Sequence, residues 1–169
     1  MATESQPVYS IGYGRRSIYE FIDLLHRYGV TRLVDIRSHP VSRWNPAFRK
    51  KILEEYLTGA GIEYTYRGDV LGGKPADPDL WVGEVLDLDV LWEKPWFHEG
   101  IGELEAASRG GERLAVMCAE LRPESCHRAF MVGAALIERG VEMRHIDEHG
   151  GIKSQIEVLG WFSGHEPVE

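Results

Sequence analysis

Short apolar runs alternate along the chain with amphipathic segments. The apolar runs predict β-strands over residues 7–11, 32–37, 62–66, 113–118 and 142–146. The amphipathic segments predict helices over residues 18–28, 46–58, 96–107 and 126–139. Strands that alternate with helices usually lie parallel, with helices on both faces of the sheet. We therefore expect a single three-layer α/β domain with a mostly parallel sheet of about five strands, in a layout loosely like those of rhodanese and Rossmann domains.

Residues 68–94 interrupt this alternation with turn-forming residues. The segment contains the pair Gly72-Gly73 and two prolines, followed by a mixture of acidic and apolar residues. Connections of this length in a compact domain are usually lids, binding loops or insertions. We expect a long loop or insertion that carries a short helix. Residues 152–162 are expected to form a final hairpin or edge strand, and residues 164–169 a frayed tail.

The composition narrows the class of protein. Of the 169 residues, 43% are hydrophobic and 27% are charged, and the formal net charge is −8. An acidic balance argues against broad, nonspecific binding to a phosphate backbone, although it allows a local basic pocket. No apolar run approaches the roughly 18 residues that a transmembrane helix needs, and the N-terminus lacks a signal-peptide pattern. Two cysteines are too few for a disulfide scaffold, so we expect a cytoplasmic protein with free thiols and no membrane partner.

Both cysteines lie in residues 114–128, which read LAVMCAELRPESCHR and run from a strand through a polar loop into a helix. Open α/β sheets usually bind ligands where strand ends face helix starts. With Ser125 as the N-cap, the first helical turn would hold Cys126, His127 and Arg128, and the helix dipole and cations there would lower the pKa of a thiol. A nucleophilic or redox cysteine and an acid–base group are therefore expected among Cys118, Glu120, Cys126 and His127.

Other roles stay open for these residues. Cys118 equally suits the last buried position of its strand, and Cys126 a small residue at a helix start. The two cysteines and His127 offer three metal ligands, but seven residues between the cysteines is an unusual gap for structural zinc, and we assign no metal. A disulfide between the cysteines is a further alternative. A cysteine phosphatase loop is excluded, because the position six residues after each cysteine holds Glu124 or Val132 rather than arginine.

Arginines and other polar groups gather in the loops that follow three of the predicted strands. The loop after the first strand reads GYGRRS, and the loop after the second reads SHPVSRWNP. A Gly-x-Gly without a third glycine does not support a dinucleotide-binding fingerprint. Because parallel strands end at the same edge of a sheet, we expect these loops to form an anion-binding cleft. The candidate substrate-binding residues are Tyr13, Arg15, Arg37, Ser38, Arg43, Arg122 and Arg128.

Four segments resemble successive motifs of a bacterial and archaeal family, the one numbered 488 among domains of unknown function. They read SIGYGRRSIYEFIDLLHRYGV, LVDIRSHPVSRWNPAF, GIEYTYRGDVLGG and VMCAELRPESCHR, within residues 9–146. The most specific of them is the Cys-Ala-Glu…Cys-His-Arg run. Gly12-Tyr13-Gly14 stands where such proteins usually have Gly-His-Ser, and residues 81–102 lack the Gly-Tyr-Ala-Asp stretch of many members. This resemblance implies no activity, so function has to be argued from the site.

These features favour an enzyme that acts on a phosphorylated or nucleotide-like small molecule. The arginines would hold the anion, and a cysteine together with an acid–base group would carry out the chemistry. The residues do not indicate which reaction is catalysed or whether a cofactor takes part. The alternative is a non-catalytic module that binds nucleic acid or protein, in which the arginines contact phosphates and Tyr13, Trp44 and Trp81 stack on bases.

Overall fold

Six strands form the main sheet of the computed structural model, which describes residues 4–159. In chain order, the strands of the protein are β1 (Val8–Gly12), β2 (Arg32–Asp35), β3 (Glu63–Tyr66), β4 (Trp81–Val82), β5 (Val85–Leu86), β6 (Leu114–Cys118), β7 (Met143–Ile146) and β8 (Ile152–Ser154). The order is β3-β2-β6-β1-β7-β8, and β4 and β5 form a separate hairpin. All neighbours in the main sheet are parallel except β7 and β8. The expected mostly parallel sheet is confirmed, with six strands rather than about five, because residues 152–154 add an antiparallel edge.

Helices cover both faces of this sheet. They are α1 (Ile18–Arg27), α2 (Lys50–Gly59), α3 (Gly68–Leu71), α4 (Leu88–Leu91), α5 (Pro95–Arg109) and α6 (Ala134–Glu138). Successive side chains of a strand point to opposite faces. Val34 and Val116 accordingly pack with the core residues of α3 to α6, whereas Leu33 and Ala115 pack with those of α1 and α2. The architecture therefore has three layers, as the alternation of elements predicts.

The interrupting segment, residues 68–94, is more structured than a long loop. It contains α3, a 3₁₀ turn at Pro78–Leu80, the β4–β5 hairpin and α4. Leu71, Leu80 and Leu91 are fully buried in the core on the α5 side of the sheet. Because these three apolar side chains anchor the segment at regular intervals, it folds back onto the sheet instead of extending from it.

The expected helix over residues 126–139 begins later than its sequence suggests. Pro123–Ser125 forms a 3₁₀ turn, so Ser125 is not an N-cap, and Cys126 is extended with φ −130° and ψ 145°. A π-helical turn follows at Arg128–Gly133 and continues into α6. Pro123, with its fixed φ, favours this separate 3₁₀ turn in the loop ahead of the helix. Cys126 therefore precedes the helical segment, whereas His127 already has helical backbone angles, φ −59° and ψ −18°. Turns of the π-helical type are frequently found at functional sites.

The second expected helix, residues 46–58, is also divided. A 3₁₀ turn at Pro46–Phe48 is followed by an extended Arg49, and α2 begins at Lys50. The interruption lets the Phe48 carbonyl accept a hydrogen bond from the Arg37 guanidinium at 2.7 Å. The loop after β2 is thereby tied to the base of the cleft described below.

The end of the chain is described only in part. Residues 155–159 are helical, and the expected frayed tail at residues 164–169 lies outside the described residues, as does the end of the element expected over residues 152–162. In the part of the chain that the structure describes, every helix is too short or too polar to cross a membrane.

The loop after β6 approaches the end of β1 so closely that only glycine fits at position 12. The amides of Tyr13 and Gly14 donate to the carbonyls of Cys118 and Ala119 at 3.3 and 3.0 Å, which extends the strand pairing into the loops. A Cβ on Gly12 would overlap the carbonyl oxygen of Glu120. The backbone here cannot move away without breaking that pairing.

We expect Gly12→Ala to lower the free energy of unfolding by about 2 kcal/mol, the usual scale of a steric overlap in a packed region. The matched control is Gly59→Ala, at the end of α2, where an added Cβ meets nothing within 4 Å. Alanine is the better helix former, so that control should be neutral or slightly more stable. Urea unfolding of both variants measures the difference, and equal stabilities would contradict the close approach at Gly12.

Candidate functional site

A cleft of about 380 Å³ opens at the carboxyl edge of the sheet, between the loops that follow β2 and β6. The helix after β2 lies on one face of the sheet and the helix after β6 on the other, so the two loops diverge and leave a crevice. Three loops line it, with Arg37, Ser38, His39 and Val41 from the first, Gly73 and Lys74 from the loop after α3, and Cys118, Ala119, Glu120, Ser125, Cys126 and His127 from the third.

Two free cysteines and a histidine form the floor of the cleft. Cys118 is the last residue of β6 and is 3% exposed, and Cys126 is 4% exposed. The two sulfurs and a ring nitrogen of His127 lie within 4.8 Å of one another. The parallel pairing of β6 and the extended backbone at Cys126 therefore bring together residues that are eight positions apart in the sequence.

The Arg128 guanidinium lies directly behind the sulfurs and is fully buried. Its Nε donates to Ser10 Oγ at 3.0 Å, one terminal nitrogen donates to Cys118 Sγ at 2.9 Å and to the Glu120 carbonyl, and the other donates to the Leu121 carbonyl at 3.0 Å. None of these partners is a carboxylate, and within residues 4–159 no carboxylate forms an ion pair with Arg128. A buried charge needs a counter-charge, and the thiols are the only acidic groups among its hydrogen-bond partners in the described chain.

The pKa of Cys126 is lowered to about 7. The Cys118 thiol donates a hydrogen bond that favours the Cys126 thiolate, and the Arg128 charge and its backbone N–H, 3.5 Å from Cys126 Sγ, act in the same direction. Burial raises the pKa of Cys118, and so does its role as donor to Cys126. These opposite pKa shifts favour one thiol and one thiolate in the cysteine pair beside Arg128, with the proton on Cys118 and the charge on Cys126.

His127 faces the Cys126 sulfur with its unprotonated nitrogen. Its Nε2 lies 3.2 Å from the Ile36 carbonyl, which can only accept, so the proton is on Nε2. Nδ1 is therefore unprotonated, and at 3.5 Å from Cys126 Sγ it can accept from the Cys126 thiol only while that thiol is protonated. Burial lowers the pKa of His127 and keeps the ring neutral. Gly73 allows this placement, because a Cβ there would lie 2.9 Å from the ring.

Arg37 is held in place by Asp35 at the end of β2. Its Nε and one terminal nitrogen donate to the two carboxylate oxygens at 2.9 and 2.8 Å. Burial alone would lower the pKa of Arg37, but the hydrogen bonds and charge of Asp35 raise it. Tyr64 also donates to Asp35, at 2.6 Å. Arg37 lines the cleft with its charge already balanced, so its contribution to an anion site is smaller than the sequence suggests.

Lys74 brings an unbalanced positive charge to the cleft. Its backbone N–H donates to Ser38 Oγ at 2.8 Å, which joins the loop after α3 to the loop after β2. A Cβ on Gly72 would overlap the same hydroxyl, so the two loops touch. The Lys74 ammonium is exposed and forms no ion pair with any residue in the described range 4–159.

The structure brings together six of the residues expected at the site and places the others elsewhere. Those lining the cleft are Cys118, Glu120, Cys126, His127, Arg37 and Ser38. Tyr13 is buried beneath Arg37, and its ring stacks on Phe48 at 4.2 Å. Arg15 is exposed outside the cleft, Arg43 stacks over Trp44 at 5.8 Å, and Arg122 pairs with Glu148 at 3.0 Å.

The expectation that Arg128 presents an open fork to a substrate anion needs correction. Its guanidinium is fully buried and its donors are satisfied by protein groups, so it acts on the sulfurs and not on a ligand in the cleft. Sequence reasoning also missed Lys74 as a lining residue, whereas His39 belongs to a loop that it did place at the cleft. The Gly72-Gly73 pair could have indicated Lys74, because adjacent glycines often mark a close backbone approach.

The cysteine and histidine cluster also has the composition of a soft metal site. The Arg128 guanidinium, however, already occupies one side of Cys118 at hydrogen-bond distance. A second cation bound to the same sulfur would be repelled by it. The geometry therefore favours a thiolate balanced by arginine over a metal centre.

Comparison with known proteins places the chain in a family without assigning an activity. Residues 17–135, more than half of the chain, match the family described as Domain of unknown function DUF488. No curated protein and no solved structure matches the chain.

We expect Cys126 to react with iodoacetamide with a midpoint near pH 7, since its pKa is about 7 and the thiolate is the reactive form. Mass spectrometry of the labelled peptide across a pH series gives the midpoint. Cys118→Ala should raise it, because the thiol that donates to Cys126 is lost. A wild-type midpoint at or above about 8.5, the value of a free cysteine, would contradict the charge balance described here.

Proposed function

The chain belongs to the DUF488 family, and from the geometry of its cleft we propose that it is a thiol-dependent enzyme acting on a phosphorylated or nucleotide-like anion. The observation that carries the proposal is the fully buried Arg128, which donates to Cys118 Sγ beside Cys126 and forms no ion pair with a carboxylate of residues 4–159. A cysteine that serves only as a core residue is neutral. An ionised thiolate at the floor of a cleft is the arrangement of a reactive cysteine.

Cys126 is the nucleophile in this proposal. Its thiolate attacks an electrophilic atom of the substrate, a bond from sulfur to that atom forms, and the bond to the leaving group breaks. The leaving group takes the electron pair of the broken bond and is protonated by water in the open cleft, because His127 Nδ1, 3.5 Å from the sulfur, is unprotonated and can accept a proton but not supply one. The Glu120 carboxylate, exposed in the cleft lining, activates the water that releases the product.

An anionic substrate is supported by the charges that line the cleft. Lys74 is exposed there without an ion pair among the described residues, and His39 and Arg37 lie beside it. Glu120 is the one carboxylate among the lining residues that the structure describes. Lys74 therefore supplies one positive contact for an anion in a chain whose net charge is −8, and Glu120 is the lining charge that opposes it. A cleft of about 380 Å³ is also of the size that holds a small molecule.

A nucleic-acid-binding module is the second candidate, and one observation favours it. Trp44 is 89% exposed on the loop after β2, with the Arg43 guanidinium over its ring. Such a pair can stack on a base. The other aromatic residues expected to stack are engaged within the protein: Tyr13 is 5% exposed, and Trp81 donates to the Pro75 carbonyl at 2.8 Å. Affinity for single-stranded nucleic acid that falls steeply with salt would support this candidate.

The proposed function predicts that Cys126 prefers an anionic reagent. We expect the ratio of the iodoacetate rate to the iodoacetamide rate to exceed that of free cysteine about fivefold, the effect of one favourable charge contact of about 1 kcal/mol. Both rates are measured on the Cys126 peptide at the same pH and ionic strength, so the thiolate fraction cancels.

Lys74→Ala should remove this preference, and inorganic phosphate should compete with iodoacetate in the wild type. The matched control is Lys51→Ala, which removes an exposed lysine of α2 that does not line the cleft. If the wild type shows the same ratio as free cysteine, or if both lysine variants behave alike, the cleft does not select anions.

A further inference from the structure

Behind Arg128 lies a line of buried polar side chains contributed by three separate elements. Ser10 lies in β1, His145 lies in β7, and Gln155 directly follows β8. Each of the three is at most 1% exposed. Ser10 Oγ lies 2.5 Å from His145 Nδ1, and His145 Nε2 lies 2.6 Å from Gln155 Oε1. The line continues from Ser10 Oγ to Arg128 Nε at 3.0 Å.

The partners at the far end fix the direction of every hydrogen bond in this line. Gln155 Nε2 donates to the Ala129 carbonyl at 2.9 Å, so its Oε1 faces His145 and can only accept. His145 must then carry its proton on Nε2 and present a bare Nδ1. The Ser10 hydroxyl consequently donates to Nδ1, and its oxygen is left to accept from Arg128. The direction of each hydrogen bond in the line is therefore determined, and the last donor, the Arg128 guanidinium, donates to Cys118 Sγ.

We propose that Gln155, His145 and Ser10 are positioning residues that aim the Arg128 guanidinium at the cysteine pair; this rests on the thiol-dependent function proposed above. They touch neither the cleft nor the sulfurs. They act through the orientation of the Arg128 side chain. Without the Ser10 acceptor, the Nε side of the guanidinium loses its partner in this line, and the Glu120 and Leu121 carbonyls alone set the direction of the nitrogen that donates to Cys118.

The surroundings of the line support this role over ordinary core packing. A Cβ on Gly133 would overlap Gln155 Oε1, so the π-helical turn is shaped to admit the amide. Burial lowers the pKa of His145 to about 4, with Arg128 adding to the effect and Glu124 opposing it, so the ring stays neutral and Nδ1 remains an acceptor. Three buried polar residues carry a desolvation cost that apolar side chains of similar size would avoid.

The test is the pH profile of Cys126 alkylation in Ser10→Ala, compared with the wild type. We expect the midpoint to rise by about one pH unit, and the rate at neutral pH to fall about fivefold, because the guanidinium no longer holds its position against the sulfurs. The matched control is Tyr9→Phe, which removes a hydroxyl from the neighbouring residue of β1 on the opposite face of the sheet. That variant should keep the wild-type profile.

A second variant guards against misfolding of the first. Gln155→Met keeps a similar side-chain length but removes both ends of the amide, and it should shift the profile in the same direction. Thermal unfolding of each variant separates a shifted profile from loss of structure. A wild-type midpoint near pH 7 that stays unchanged in both Ser10→Ala and Gln155→Met overturns the positioning role alone. A wild-type midpoint at or above about 8.5 overturns the proposed function instead.

Discussion

A buried arginine that has no carboxylate partner within residues 4–159 is the constraint on which the site depends. Arg128 is fully enclosed, and its guanidinium contacts a serine hydroxyl, two backbone carbonyls and a sulfur. A charge in that position is tolerated only if a negative charge lies close by. Cys118 is the one acidic group among these contacts, and together with Cys126 beside it the pair can supply that charge once one of the two thiols is ionised, which a pKa of about 7 for Cys126 allows just above neutral pH. The buried charge of Arg128 in the core is therefore also what favours a reactive thiolate in the cleft.

The same sheet edge offers a contrast in Arg37. This residue is also buried, but Asp35 lies two positions before it and binds the guanidinium through both carboxylate oxygens. Its charge is neutralised locally, and it acts as a tie between the loop after β2, Phe48 and Tyr13. Two arginines that follow adjacent strands, β2 and β6, thus have different consequences because their partners differ in acidity. A carboxylate is ionised at neutral pH without help, whereas a thiol is ionised there only if its pKa is lowered.

The sequence predicts the sheet and the location of the site because both follow from local patterns. Apolar runs mark the parallel strands, and the carboxyl ends of parallel strands necessarily share an edge, so Cys118 and Arg37 could be placed together. The sequence also predicts a thiol of lowered pKa near Cys126, but it does not predict the burial of Arg128 or the extended backbone of Cys126. Arg128 is turned inward by Ser10, 118 positions away, and by His145 beyond it. Cys126 lies before the helical segment because a 3₁₀ turn and a π-helical turn replace the regular helix that its neighbours favour.

The position of Lys74 in the cleft could not be predicted from the sequence either. It belongs to a segment that resembles a long loop in the sequence, and it reaches the cleft because Leu71, Leu80 and Leu91 are buried on the sheet and Gly72 and Gly73 fit against the neighbouring loops. Buried leucines spaced about ten residues apart match neither the helix nor the strand period, so their pattern does not predict the path of the chain between them. Only the packed structure shows that this lysine and the thiolate share one cleft.

The most direct measurement counts thiolates. Ultraviolet absorbance of the folded protein at about pH 8, referenced to the acid form and to a Cys118→Ala/Cys126→Ala double variant, gives the number of ionised thiols per chain. A guanidinium balanced by a cysteine pair that shares one proton predicts a value close to one. A value close to zero would mean that the Arg128 charge is buried without a thiolate partner, and it would contradict the account.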